Sequence, residues 1–298
     1  MSSVIFNGKN SKFRAKIFPI FAAVKKLNDI VQPISTELTQ FEAFFEHTLK
    51  AESEPMSSIM QYVRNTQGKR LRPILVLLSA KLLGKINEQT LRSATFVEMV
   101  HSATLIHDDV VDNADARRKK ASVKAQFGNP SAVLSGDYLL AKAIMLISND
   151  TDILNEMLQT AVAMSEGELI QNTSKKAPSP KFAEQPQRVK GQKIRSTDDY
   201  LNILTRKTAL LMRSCCVAGA LSVEATSEKV QQISNFGLSL GILFQLRDDI
   251  LDGENTDEAQ VLLPEYLQKT MESLKDFPES ETLEALRDLT IFCAEREE

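Results

Sequence analysis

Residues 101–115, HSATLIHDDVVDNAD, hold the central puzzle of this chain. Three aspartates, Asp108, Asp109 and Asp112, interrupt a run in which Leu105, Ile106, Val110 and Val111 are apolar. With about 3.6 residues per turn, His101, Thr104, Asp108, Asp112 and Asp115 fall on one stripe of a helix. A run of charge is ordinarily a solvated face. Here the apolar neighbours predict burial, and a buried carboxylate costs on the order of several kcal/mol unless it is paired or meets a cation. The stretch 244–252, FQLRDDILD, repeats the pattern with Gln245, Asp248, Asp249 and Asp252. Two such seams on core-type helices predict an anionic pocket that only multivalent cations would relieve. Oxygen donors without His or Cys inside the motifs suit Mg²⁺ rather than zinc. Mg²⁺ shares its shell with substrate phosphates, so a diphosphorylated ligand is expected.

Outward from these stretches the apolar residues keep helical spacing. The segment 72–84, RPILVLLSAKLLG, is apolar nearly all round and predicts a core helix ending at Gly84. Helical patterns follow over 87–112, 129–147, 151–171, 197–221 and 227–252, with a last helical stretch running to the C-terminus. No strand-like alternation of useful length and no fixed repeat is present. With 11 glycines, 10 prolines and no tryptophan in 298 residues, composition also favours helices. The fold class read from this is all-α, one domain over 1–298. Residues 172–196, rich in Lys, Pro, Ser and Gln, predict a mobile inserted loop.

A net charge of −3 excludes the basic field of a general nucleic-acid binder. Three cysteines, two of them adjacent, form neither a disulfide framework nor a zinc motif, which predicts a cytoplasmic protein. The apolar run in 16–26, KIFPIFAAVKK, is too short to span a bilayer and reads as a short packed segment. Cations accompany the acids: Lys69, Arg70 and Arg72 in GKRLRP, Arg117 and Arg118 in ARRKK, and Lys207 beside Thr208 in RKTA. Arg suits bidentate phosphate contacts and Lys a point charge.

The ordered set GKRLRP, HSATLIHDDVVDNADARR, FGNPSAVLSGDYLLAKA, GELIQ, RKTALL and FQLRDDILD resembles the trans-isoprenyl diphosphate synthases, the polyprenyl synthetase family, most of all its long-chain, octaprenyl-type members. The resemblance covers roughly residues 25–252 and again the last helix. It implies a helical bundle of the isoprenoid synthase type with a central cavity, working as a homodimer that condenses an allylic diphosphate with isopentenyl diphosphate. By resemblance Asp108, Asp112 and Asp248 coordinate Mg²⁺, two or three ions per site, with Asp109, Asp249 and Asp252 as further or water-mediated ligands. Arg117, Lys207, Thr208 and Gln245 then hold the allylic diphosphate, and Lys69, Arg72, His101 and Arg118 hold isopentenyl diphosphate. Asp108, Asp109, Asp112, Asp248 and Lys207 are the expected catalytic set. The lipid product implies peripheral membrane contact.

In that family, bulky aromatics four and five residues before the first acid motif stop chain growth. Ala103 and Thr104 stand there and imply a long product, with a farnesyl or geranylgeranyl product as the alternative. The chain departs from the family after Asp252, where 253–262 is shortened and lacks the usual lysine turn, and at Lys119, which replaces a glycine. The first departure motivates a second alternative, a weakly active or regulatory subunit. A terpene cyclase is a third, disfavoured because it needs no Lys69, Arg72 or His101.

Overall fold

The structure is a computed structural model that describes residues 24–66, 68–175 and 196–297. It is all-α apart from one tiny hairpin. A short α1 (Leu27–Ile30) leads through a 3-10 turn into α2 (Ser35–Thr48), followed by α3 (Glu54–Asn65), α4 (Leu71–Leu83) and α5 (Glu88–Val111). The hairpin pairs Ala116–Arg117 with Lys120–Ala121, antiparallel. Then come α6 (Val123–Phe127), α7 (Asn129–Leu146), α8 (Thr151–Lys175), α9 (Thr197–Leu204), a π-helical turn (Thr205–Ala209), α10 (Leu210–Ser222), α11 (Ser227–Asp252), α12 (Thr256–Glu272) and α13 (Glu281–Glu295).

Local chemistry explains where these helices begin. Asn87 accepts the Thr90 N–H at 3.0 Å while Thr90 Oγ1 accepts the Asn87 N–H at 3.3 Å, a reciprocal cap that starts α5. Ser122, Ser196, Thr226 and Ser280 cap α6, α9, α11 and α13 in the simpler way. The single C-terminal helical stretch expected from periodicity is two helices. Pro278 disfavours helix at Phe277 before it, and Ser280 starts the chain again as α13.

Helix α10 is the hub, buried on nearly every side, and it packs against α11, α4, α8 and α5. The two helices that end in the acidic motifs, α5 and α11, both lean on α10 and make no extensive contact with each other. Helix α4, with eight buried residues including Leu75, Val76, Leu77 and Leu78, fills the layer beside α5 and α10, and it stops at Leu83 as Gly84 predicts. Among the described residues no helix is long and apolar enough to cross a membrane.

Two expectations fall largely outside the described residues: the short apolar segment at 16–26 and the mobile loop at 172–196. The backbone of α8 nevertheless continues to Lys175.

Candidate active site

Both acidic motifs sit at helix C-termini. Asp108 and Asp109 lie in the last turn of α5 and Asp112 is its C-cap residue; Asp248, Asp249 and Asp252 form the last turn of α11, closed by Gly253 at φ 75°. A helix C-terminus carries a partial negative charge and favours cations, yet neither last turn contains a basic residue. Each motif therefore adds carboxylates to an end that is already negative.

The aspartates within each motif divide into two kinds. Asp109 is 2% exposed and accepts from Arg117 Nε at 2.8 Å. Asp249 is 5% exposed and accepts from the Tyr200 hydroxyl at 2.7 Å and from Gln245 Nε2 at 2.9 Å. Gln245 Oε1 in turn accepts from Thr208 Oγ1 at 2.5 Å, so Thr208, Gln245, Asp249 and Tyr200 form one chain of hydrogen bonds. Burial and this contact push the Tyr200 phenol up, so it stays a donor. The carboxylates of Asp108, Asp112 and Asp252, by contrast, make no hydrogen bond or ion pair among the described residues. Asp248 pairs with Arg296 from the end of α13, whose guanidinium also stacks 3.8 Å from the Phe244 ring centre.

Burial, then the nearby Glu168 carboxylate, pushes Asp108 up to about 6, with Arg117 working the other way. Burial also raises Asp248, against the pull of Arg296. A carboxylate so reluctant to ionise marks a place short of positive charge. The donors are all oxygen, and that chemistry fits a hard divalent cation. Among the described residues no three His, Cys, Asp or Glu side chains converge into a ready cage.

Cations also gather along α5. Glu98, His101, Asp109, Arg117 and Arg118 line an open cleft of about 510 Å³ that also touches α3 through Tyr62 and Val63. Arg72 Nη1 lies 2.9 Å from His101 Nε2. Burial, followed by Arg72, Arg118 and Arg117, holds His101 well below the usual imidazole range. His101 is thus neutral, accepts from Arg72 at Nε2, and keeps its proton on Nδ1. Arg72 Nε is buried and has no hydrogen-bond partner among the described residues. Lys69 lies 5.8 Å from the Phe292 ring centre, so α13 reaches both Lys69 and Asp248. Arg118 lies on Gly68 with its guanidinium where a Cβ would stand, 2.5 Å away. Both hairpin turn residues, Arg118 and Lys119, have positive φ (51° and 64°), a geometry that costs each about 1–2 kcal/mol. Lys207 rides half-buried on the π turn and makes no ion pair among the described residues. π turns of this kind are frequent at functional sites.

Sequence reasoning placed Asp115 on the same stripe, but α5 ends at Val111 and Asp115 turns outward to Lys124, 3.0 Å away. It overlooked Glu98, Glu168 and Tyr200. Glu98 was findable as a lone acid one turn before His101. Glu168 lay inside the quoted GELIQ, and Tyr200 carried no signal of its own. Of the proposed length determinants, Thr104 is half-buried and bonds back to His101 O at 2.9 Å, whereas Ala103 is fully enclosed.

A helical bundle with two acid-ended helices and a cationic cleft defines a class, the all-α enzymes of isoprenoid synthase fold. The polyprenyl synthetase family model matches residues 53–261. Heptaprenyl diphosphate synthase component 2 of Geobacillus stearothermophilus is 33% identical over 235 residues, 78% of this chain and 69% of that protein. Octaprenyl diphosphate synthase of Haemophilus influenzae is 34% identical over 193 residues, 64% of this chain and 54% of that protein. A polyprenyl synthase from Caulobacter crescentus, crystallised with calcium and isoprenyl diphosphate, has the same fold with a TM-score of 0.81. It is 23% identical and covers 93% of this chain and 100% of that one. The chain belongs to the polyprenyl synthetase family, and it is a prenyltransferase of the polyprenyl diphosphate synthase type.

Proposed function

We propose that this chain condenses an allylic diphosphate with isopentenyl diphosphate, with Mg²⁺, to build a long trans-polyprenyl diphosphate. The observation that carries the reading is the two clusters of carboxylates at two helix C-termini, with Asp108, Asp112 and Asp252 left without side-chain partners among the described residues. Asp108, Asp112 and Asp248 would hold two or three Mg²⁺ ions, Asp248 on release from Arg296, with Asp252 beside them. Asp109 and Asp249 act from behind by fixing Arg117 and the Tyr200–Gln245 pair. Bound there, Mg²⁺ neutralises the allylic diphosphate so that it becomes a competent leaving group.

Lys207 and the unengaged end of the Arg117 guanidinium hold that diphosphate, and Thr208 and Gln245 keep the wall beside it in place. Lys69, Arg72, His101 and Arg118 hold isopentenyl diphosphate. The allylic C–O bond breaks with its electron pair leaving on diphosphate. The isopentenyl double bond attacks the carbocation, and the adduct loses a proton to the departed diphosphate. The packed apolar core keeps water from the cation.

The same single domain is proposed to act as a homodimer in the cytoplasm. Helix α7 leaves Val133, Leu134, Ile144 and Met145 exposed, and α8 leaves Leu158 and Val162 exposed, rows that suit a second copy. The Geobacillus relative is by name one component of a synthase, so a heteromeric enzyme is the second reading. Purified protein with Mg²⁺, farnesyl diphosphate and labelled isopentenyl diphosphate should yield products well beyond fifteen carbons. No incorporation by the chain alone, with incorporation on adding a second component, would favour the heteromer.

A further inference from the structure

Arg70 lies between Lys69 and Arg72, and from sequence the three cations of GKRLRP read alike. Their environments differ completely. Arg70 does not line the cleft and puts a two-pronged grip on Glu42, Nε to Oε1 at 2.8 Å and Nη2 to Oε2 at 2.9 Å. Its third contact, Nη1 to Glu98 Oε1, is 2.9 Å. The guanidinium also lies 4.7 Å from the Phe45 ring centre and 5.8 Å from that of Phe41. Its backbone is left-handed, φ 56° and ψ 28°, at the N-cap of α4, with its carbonyl accepting the Ile74 N–H at 3.1 Å. A long-chain residue holds that conformation only where its surroundings impose it.

Glu98 sits one turn before His101 on α5, and His101 is the partner of Arg72. The start of α4 is thus tied to α5 by two adjacent rungs, Arg70 to Glu98 and Arg72 to His101. From these contacts we infer that Arg70, with Glu98, is a positioning residue for isopentenyl diphosphate. It locks the left-handed step that sends Lys69 outside α4 and Arg72 into its first turn, and it touches no substrate itself. The inference rests on the function proposed above and adds a residue outside the diphosphate cage.

Steady-state kinetics on the full-length protein test it, varying each substrate separately. Arg70→Met should raise KM for isopentenyl diphosphate about tenfold or more while kcat and KM for the allylic substrate stay within about threefold. Because Arg70→Met leaves Glu98 buried without a partner, the double variant Arg70→Met/Glu98→Leu removes that cost by pairing apolar groups. The double variant should regain thermal stability but keep the raised KM. Arg70→Lys keeps the charge and loses the fork, so it should restore KM only in part. A KM that returns to the parent value in the stable double variant, or two KM values that rise together, overturns the positioning role. A parent chain that neither binds isopentenyl diphosphate by calorimetry nor incorporates it overturns the function itself. A parent that does both, with Arg70→Met unchanged, overturns the Arg70 inference alone.

Discussion

Asp108 and Asp109 are neighbours in sequence and opposites in structure. On a helix, adjacent side chains point about 100° apart. One therefore has a carboxylate without a partner among the described residues, while the other is buried against Arg117. Asp108→Asn should lower kcat by about 10³-fold or more, since it removes a metal ligand at the leaving group, and it should leave the fold intact or firmer. Asp109→Asn should lower the melting temperature through its weakened buried ion pair. Turnover within about threefold of the parent for Asp108→Asn sinks the assignment of that carboxylate to metal. Thr104 is half-open one turn before Asp108, so Thr104→Phe should shorten the products without blocking the first condensation. Sizing of the labelled products checks this, and an unchanged length distribution removes Thr104 from the tunnel wall. Sequence could locate both acid pairs but not rank their members, because apolar residues flank them on every side and periodicity then gives no inward direction.

At the level of elements, the long apolar helices were legible because their spacing and caps are local properties. The ends and joints were not. Arg118 and Lys119 sit in a left-handed turn where glycine or asparagine would have signalled a hairpin. The π turn adds a residue to a helix that otherwise looks continuous, and nothing in TRKTA announces it. The approach of α13 to the end of α11 is a long-range contact between Arg296 and Asp248 that no local pattern encodes. That last contact is a competition between a guanidinium and a metal for one carboxylate. Arg296→Ala should therefore bind Mg²⁺ severalfold more tightly in calorimetry without substrate, an effect of about 1 kcal/mol. Equal affinity in both proteins means that Arg296 does not hold Asp248 in solution.

For the whole molecule, the acid ends couple stability to pH and metal. Asp108 titrates near 6 in the folded chain against about 3.9 in an unfolded one. The folded, metal-free protein therefore binds that proton more tightly. The stability so gained is complete below about pH 4 and is lost as pH rises through about 6. Mg²⁺ requires the ionised form, so its stabilising effect grows over the same interval and can reach about 2.7 kcal/mol at a hundredfold excess over Kd. Melting curves with Mg²⁺ and with chelator should nearly coincide at about pH 5 and separate clearly above about pH 7. An increment of the same size at both pH values would remove these carboxylates as the metal site.

Because α5 and α11 touch α10 far more than each other, the gap between the two acid ends is a gauge set by the thickness of α10. Among the described residues no extensive contact ties the two rails together, so whatever thickens the sleeper spreads them. Gly237 is a place where α11 seats closely on α10: a Cβ there would meet the Arg213 Cα at 2.8 Å and the Met212 carbonyl oxygen at 3.0 Å. Gly237→Ala is thus a shim of one methyl group. It should widen the track and slow turnover with every ligand still in place, and higher Mg²⁺ should recover part of the loss. Full activity at low Mg²⁺ would show that the rails are spaced by something else.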